Sequence, residues 1–422
     1  MPAAPPPSPA VDTSALYRMP WTMADNGFSW LEPTRRCNLS CEYCYQRNDP
    51  TSVKDLGEIA RELEALQRLR RCDVMIIAGG EPLTHPDLAG VVRLVRARGL
   101  KPVVLTNGHG LDVPRVAELK ASGAFGFFFH VDAGQCRPGW VGKNERELNA
   151  LRQELADLVH GAGGLVCGYN TTVLPEQLPF VPDVVRWTVA NADRVAANVL
   201  ITVRGAHADD GWDYFAGGKR IDVAATPYAL ERRYRELTAA DLCAAIEEAV
   251  PGYRFHSFLG GTVRAEVPKW LFGTHLADGE AVHGNIGARA SELLQSTHHA
   301  LFRRFLAMPA PGLARRGALA LALAPLDSET RATLARLVAA RLRRPSGLAR
   351  RRLHLQSLIV MQPHDVLPNG EQDECDGCPN KTYWEGRLVS ECRKEDYLLY
   401  GRPVVAAPRG QEPRRGAGCP RD

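Results

Sequence analysis

Six of the eleven cysteines fall into two tight groups, and those groups carry the chemistry. The first is Cys37-Asn38-Leu39-Ser40-Cys41-Glu42-Tyr43-Cys44, a C-x3-C-x2-C spacing; the second, Cys375, Cys378 and Cys392, is C-x2-C-x13-C. Thiolate is the preferred protein ligand of iron–sulfur clusters, so three thiolates in one short loop can hold three irons of a [4Fe–4S] cube. The fourth iron is then open, and an amino acid can chelate it through its amine and carboxylate. A zinc knuckle is the alternative and needs a fourth ligand nearby; His85 and His109 are available but belong to other units. In the second group the stretch from Tyr383 to Val389 reads as a hairpin that folds Cys392 back onto Cys375 and Cys378. These three suit an auxiliary [4Fe–4S] cluster, with Cys419 or nothing from the protein as fourth ligand, or a zinc site completed by Cys419. Cys72, Cys167 and Cys243 sit in apolar segments as small buried hydrophobes. Cys136 follows a strand and reads as a loop thiol near the expected site.

The first group, with Tyr43 directly before its last cysteine, resembles the signature of the radical S-adenosylmethionine (SAM) superfamily. The resemblance extends to Ala78-Gly79-Gly80-Glu81-Pro82, the segment that in the family binds the SAM amino group. Glycines there let the backbone approach, and Glu81 offers a carboxylate to an ammonium. Asn107 and Asp132, at the ends of later strands, are implied for ribose and carboxylate contacts, with Thr106, Asn170 and Thr172 as weaker candidates. Tyr43 is expected beside the adenine, where a ring has stacking value. The second group resembles the C-terminal cluster of the GTP-cyclising enzymes of molybdenum cofactor biosynthesis, where the open iron binds substrate. The chain departs from those enzymes in its last residues, Gly418 to Asp422, and in an Arg-rich helical insert. The implied reaction passes one electron from the reduced cluster to the sulfonium of SAM, giving methionine and a 5′-deoxyadenosyl radical that abstracts hydrogen from a peptide or small metabolite. A ferredoxin- or flavodoxin-like reductant is implied with it.

The elements that must position these residues follow from periodicity. Between residues 28 and 205, apolar runs at 28–31, 74–78, 102–105, 124–131, 165–173 and 194–203 alternate with amphipathic stretches of helical period. Six β/α units predict a parallel sheet, α/β in class: an open, partial (β/α)6 barrel of TIM-like type rather than a closed eight-stranded one. Ligands then belong at the carboxyl ends of the strands. Beyond residue 205 the rhythm breaks. Residues 205–222 read as a long loop, Thr238 with Asp241 as a helix cap, and 353–361 as a strand. The expected organisation is a flexible tail over 1–20, the barrel over 21–205, a mixed α/β and helical insert over 206–365, and the auxiliary cysteine region over 366–422.

Composition bounds the rest. With 45% hydrophobic and 24% charged residues the chain is an ordinary globular one, and no apolar stretch approaches the ~20 residues of a membrane span. The Pro- and Ala-rich start lacks the pattern of a secretory signal, so a cytoplasmic location is expected. A reducing compartment favours metal-holding over disulfide-forming cysteines. Net charge is +4, but residues 300–352 hold twelve Arg against Asp327 and Glu329. That run is either a solvated helical face or a patch for an anionic membrane surface or acidic substrate. No nucleic-acid partner is expected. Three functions are therefore open: modification of a peptide or small metabolite, lipid tailoring at a membrane surface, and a zinc-stabilised binding module.

Overall fold

Each of the six predicted strands forms, with a helix between each consecutive pair. In the computed structural model, which describes residues 10–205, 211–227, 229, 236–314, 316–343, 352–367 and 369–413, a short β1 (Tyr17–Arg18) precedes them. The units run β2 (Phe28–Thr34), α1 (Leu56–Leu69), β3 (Val74–Gly79), α2 (Leu88–Ala97), β4 (Lys101–Thr106), α3 (Val113–Ala121), β5 (Gly126–His130), α4 (Asn149–Ala162), β6 (Val166–Val173), α5 (Val181–Ala190) and β7 (Ala197–Thr202). The helices start where their caps dictate: Asp55 and Glu58 form a reciprocal capping box on α1, and Asp87 and Asp112 cap α2 and α3.

Strands β2 to β7 are parallel neighbours in chain order. Alternation along them sorts the core into two layers. Leu31, Met75, Ile77, Val104, Phe127 and Phe129 pack outward on Ile59, Leu63, Val92 and Leu155 of the helices. Trp30, Val74, Ile76, Val103 and Phe128 face the interior with Trp270. Each such side chain, fully buried, contributes about 1.5–3 kcal/mol.

The chain continues through β8 (Trp212–Ala216), β9 (Lys219–Ile221), α6 (Ala239–Ala249), β10 (Ser257–Leu259), β11 (Trp270–Ala277), β12 (Val282–Asn285), α7 (Ala288–Phe302), a single turn α8 (Pro311–Ala314), the 3₁₀ segment Gly317–Leu326, α9 (Ser328–Arg343) and β13 (His354–Met361). It ends with β14 (Asp365–Val366), β15 (Gln372–Asp373), the hairpin β16 (Lys381–Trp384) and β17 (Arg387–Ser390), α10 (Lys394–Tyr400) and β18 (Val404–Pro408). The hairpin turns at Glu385 and Gly386, both at positive φ, as its sequence predicts.

Three sequence expectations need correction. The tail does not extend to residue 20: Tyr17–Arg18 pair with Ser257–Phe258, because Met19 and Trp21 are buried in the interior layer. Residues 205–222 are not all loop, since β8 pairs with β9 and, antiparallel, with β18. Residues 206–365 are not wholly outside the barrel sheet: β13 joins β7 in parallel, and β11, β10 and β1 extend it to eleven strands with β12. Residues 1–9 and Cys419 lie outside the described residues.

The sheet stays open, with β2 at one end of its order. An exposed edge strand invites pairing with other chains and is normally covered. Here the C-terminal segment covers it. Asn26 Nδ2 donates to the Gly377 carbonyl at 2.8 Å, Ser29 Oγ to that of Lys381 at 3.1 Å, and Arg70 Nη2 to that of Cys378 at 2.7 Å.

Beside β7 and β13 the added strands bury two imidazoles. His275 bonds Gln356 Oε1 at 3.0 Å, and His256 meets Ser257 and Thr274 hydroxyls. Burial pushes each down to about 4 from 6.5. A depressed folded-state value means the unfolded chain takes up the proton first. Stability is therefore unaffected by these groups above pH 6.5 and lost as pH falls from 6.5 towards 4, by about 1–3 kcal/mol per ring. Urea unfolding across that window should show the loss, and His275→Gln should make it shallower; an unchanged pH slope would contradict the assignment.

Candidate active site

Because β2 to β7 are parallel, their carboxyl ends share one rim, and the loop from β2 to α1 brings Cys37, Cys41 and Cys44 there. Local hydrogen bonds shape that loop. Cys37 N donates to Asn48 Oδ1 at 2.9 Å and Asn48 Nδ2 returns to the Cys37 carbonyl at 3.0 Å, while Glu42 N reaches the Gly134 carbonyl at 3.0 Å. Cys37 and Cys41 are half-buried and Cys44 is exposed. Burial, then Asp132 and the two other thiols, pushes Cys41 far up, and burial likewise raises Cys37. The three thiols thus share one electrostatic environment. Among the described residues, no three His, Cys, Asp or Glu side chains gather closely enough to hold a single metal ion. A cube distributes its thiolates over separate irons, whereas zinc draws all four ligands to about 2.0–2.3 Å from one point. The donor set, three thiols and no fourth ligand in the loop, fits the cube. His85 does not complete a zinc site: its Nε2 is on the Lys54 carbonyl at 2.9 Å and its Nδ1 accepts from Asp87 N at 3.2 Å.

Gly79 and Gly80 serve the loop itself. A Cβ on Gly79 would stand 2.3 Å from the Thr34 carbonyl oxygen, and one on Gly80 2.4 Å from that of Arg36. Gly79 also sits at φ +111°, a conformation L side chains rarely adopt. The space the sequence assigned to a ligand's approach is taken, on this side, by the backbone leading into Cys37. Gly80 N and Glu81 N close it by donating to the Thr34 and Arg36 carbonyls at 3.0 and 2.7 Å.

Glu81 is buried and accepts three hydrogen bonds, from Leu83 N at 3.0 Å, Thr106 Oγ1 at 2.5 Å and Asn107 N at 2.7 Å. Burial outweighs these donors and lifts its carboxyl above the usual range. Asn107 in turn donates through Nδ2 to Asn38 Oδ1 at 2.8 Å and accepts from His109 N at 2.7 Å. Both residues reach the cysteine loop, one directly and one through its neighbours.

Tyr43 and Asp132 meet each other. The phenol donates to the buried Asp132 carboxylate, and the ring lies so close to Gly134 that a Cβ there would be 2.2 Å from it. His130 Nε2 stands 2.7 Å from the other Asp132 oxygen, and Gly134 N and Thr172 N donate at 3.2 and 3.4 Å. Burial alone would raise this carboxyl; His130, Tyr43 and Thr172 hold it below its usual value. Thr172 Oγ1 also bonds His130 at 2.9 Å, which brings β6 into the network, whereas Asn170 sits half-buried on the same strand.

Sequence reasoning missed several contributors. Arg137 is buried, donates to the Asn107 carbonyl and to Gln135 Oε1, and faces Glu81, Asp132 and Cys41 electrostatically. It is the cation that offsets the two rim carboxylates. The fully buried Glu145–Arg152 pair holds the loop after β5: Glu145 accepts from Ala133 N at 2.7 Å and Arg152 donates to the Val131 carbonyl at 2.9 Å. Glu145 lies in the turn before α4 and Arg152 in its first turn, so helical period gave no signal for the pair. Cys136, in a left-handed backbone at φ 28°, is exposed on that loop.

The second group gathers too. Cys375 and Cys378 are buried and Cys392 half-buried. The Cys375 thiol donates to Cys378 and, with Lys381 nearby, pulls it down to about 7 despite burial, while burial raises Cys392. The turn between the first two depends on Gly377, at φ +61°, where a Cβ would lie 2.1 Å from the Trp21 carbonyl oxygen. The donor set suits an auxiliary cluster.

A ladder of buried polar groups joins the two regions. Lys394 pairs with Glu32 of β2, Gln46 bonds both Glu391 and Glu32, and Arg35 pairs with Glu395. Tyr45, directly after Cys44, is raised by burial first and then by Glu391, Cys392 and Cys44, and packs against the cluster of Tyr214 and Val404.

Residues 31–179 match the Radical SAM superfamily. Over 86 residues the chain is 33% identical to the S-adenosylmethionine-dependent nucleotide dehydratase of Selenomonas ruminantium, covering 20% of this chain and 31% of the relative. It is 35% identical over 102 residues to the GTP 3′,8-cyclase of Peptoclostridium acidaminophilum, covering 22% and 30%. It is 29% identical over 165 residues to the PqqA peptide cyclase of Gluconobacter oxydans, covering 36% and 43%. The matches thus span less than half the length of each of these relatives. The cysteine loop, the Gly-Gly-Glu strand end and the carboxyl ends of β2 to β6 all fall within the matched segment: residues 31–179 are a radical SAM domain, from a superfamily whose members are enzymes.

Proposed function

We propose that the chain reductively cleaves SAM and uses the resulting radical to modify a peptide or small metabolite, with an auxiliary [4Fe–4S] cluster at Cys375, Cys378 and Cys392. The observation that carries this reading is the set of three thiols in one loop with no fourth ligand, held by the rim of a parallel sheet. Cys37, Cys41 and Cys44 would hold the SAM-binding cluster, which supplies one electron to the sulfonium and so generates a 5′-deoxyadenosyl radical. The chain's own residues contribute order and dryness. Asn48 clamps the Cys37 backbone, Asn107 holds Asn38, and Tyr43 binds Asp132. Each restrains the loop at a separate point, so the thiols keep their spacing. Arg137 balances the charge of Glu81 and Asp132 within a partly water-excluded rim. The electron would come from a ferredoxin- or flavodoxin-like donor. The named relatives act on a nucleotide, GTP and a peptide, which supports a compact polar or peptide substrate.

Two measurements test the reading. Anaerobically reconstituted protein should contain iron and acid-labile sulfide for two clusters; zinc without sulfide would overturn it. Replacing any of Cys37, Cys41 and Cys44 with Ala should abolish 5′-deoxyadenosine formation. Cys375→Ala or Cys378→Ala should leave uncoupled SAM cleavage while product formation stops, and full turnover in either would remove the auxiliary site's role.

The ladder between the regions makes a separate prediction. Lys394→Met leaves Glu32 buried beside Glu391 without its cation, which should cost about 3–5 kcal/mol in urea unfolding. Adding Glu32→Gln should restore most of that loss. Equal stability of wild type and Lys394→Met would mean that the pair is not buried.

A further inference from the structure

We propose that the face formed by α7, α8, the 317–326 segment and α9 docks on an anionic lipid bilayer surface. Of the fourteen large apolar side chains exposed among the described residues, nine lie between Leu294 and Leu342. Scattered exposed apolar residues are normal; a concentration in one set of mutually packed helices is not. On α9 the inward stripe is Thr330, Thr333 and Leu337, all buried, against the 317–326 segment and β12. A second stripe, Leu334, Val338 and Leu342 at four-residue steps, faces out with 36%, 49% and 78% exposure. The helix is thus apolar on more than its core face.

The charge around this stripe is predominantly positive. Arg303, Arg316 and Arg331 are exposed and make no ion pair among the described residues. Of the three acids of the face, Glu292 on α7 is exposed, and the two near α9 are engaged within it. Asp327 turns inward and accepts from Thr330 N at 2.7 Å and Arg289 N at 3.1 Å, and Glu329 pairs with Arg336 at 2.8 Å. What remains is exposed apolar surface rimmed by unpaired guanidinium groups, the chemistry of an interfacial helix on acidic headgroups. A nucleic acid would satisfy the arginines and leave the apolar stripe in water. A second copy of this face, related by a twofold axis, would bring like charge against like charge. No helix among the described residues is long and apolar enough to cross a membrane, so the contact is peripheral. Arg304 donates to the Gly99 carbonyl at 2.9 Å, which fixes the face to the barrel. The inference does not depend on the reading of the cysteines.

The test is co-sedimentation of the full chain with phosphatidylcholine vesicles, with and without phosphatidylglycerol, at low and high salt. Binding should require phosphatidylglycerol and weaken with salt. The combined Arg303→Gln, Arg316→Gln and Arg331→Gln variant should bind about a hundredfold more weakly, about fivefold for each arginine. Val338→Asp with Leu342→Asp should also lose binding while circular dichroism stays native. Absence of binding to the anionic vesicles overturns the proposal, as does undiminished binding by the arginine variant. Concentration-dependent dimerisation relieved by the Asp substitutions would assign the face to a second copy, and equally overturn it.

Discussion

One buried carboxylate holds the rim together. Glu81 accepts from the backbone of its own turn and from Thr106 and Asn107 at the end of the next strand, so β3 and β4 end at a fixed separation. Its backbone N–H, with that of Gly80, reaches the chain leading into Cys37. Gly80 and Glu81 therefore set the height of the cysteine loop above the sheet. No other residue type would serve at 79 and 80, because a Cβ would overlap main-chain oxygens that cannot move without displacing the loop. Asn107 and the Tyr43–Asp132 pair then fix the loop laterally.

An open sheet creates the second constraint. Left bare, β2 would present its edge, and buried Glu32 on that strand would lack its paired cation. The C-terminal segment answers both demands, since its carbonyls accept from Asn26, Ser29 and Arg70 and its Lys394 neutralises Glu32. Buried charges are costly when single and tolerable when paired and hydrogen-bonded. Covering the edge also brings Cys392 within electrostatic reach of Tyr45, the neighbour of Cys44. The juxtaposition of two cysteine groups is thus a by-product of how the sheet's edge is satisfied.

The Arg-rich stretch follows a different logic. It packs on the added strands through Leu337 and through Asp327, which caps α7 and braces α9, but it buries only part of its apolar surface.

Much of this was legible in consecutive residues. The C-x3-C-x2-C and C-x2-C-x13-C spacings, the six alternating units, the Gly-Gly-Glu strand end, the Thr238 cap and the Glu385–Gly386 turn are local, and each depends on period or steric demand within a few residues. Local signals could not say which side chains would be spent on one another. Tyr43 and Asp132, expected beside the adenine and among the ribose and carboxylate contacts, also bond each other across 89 positions. Arg137 and His130 entered the rim without any pattern of their own. The pairing of β8 with β18 and of Glu32 with Lys394, 362 residues apart, had no trace in periodicity. Spacing along the chain determined which thiols could share a cluster. Only the tertiary structure decided what surrounds them, because hydrogen bonds and ion pairs between distant segments depend on where the sheet ends and what must cover it.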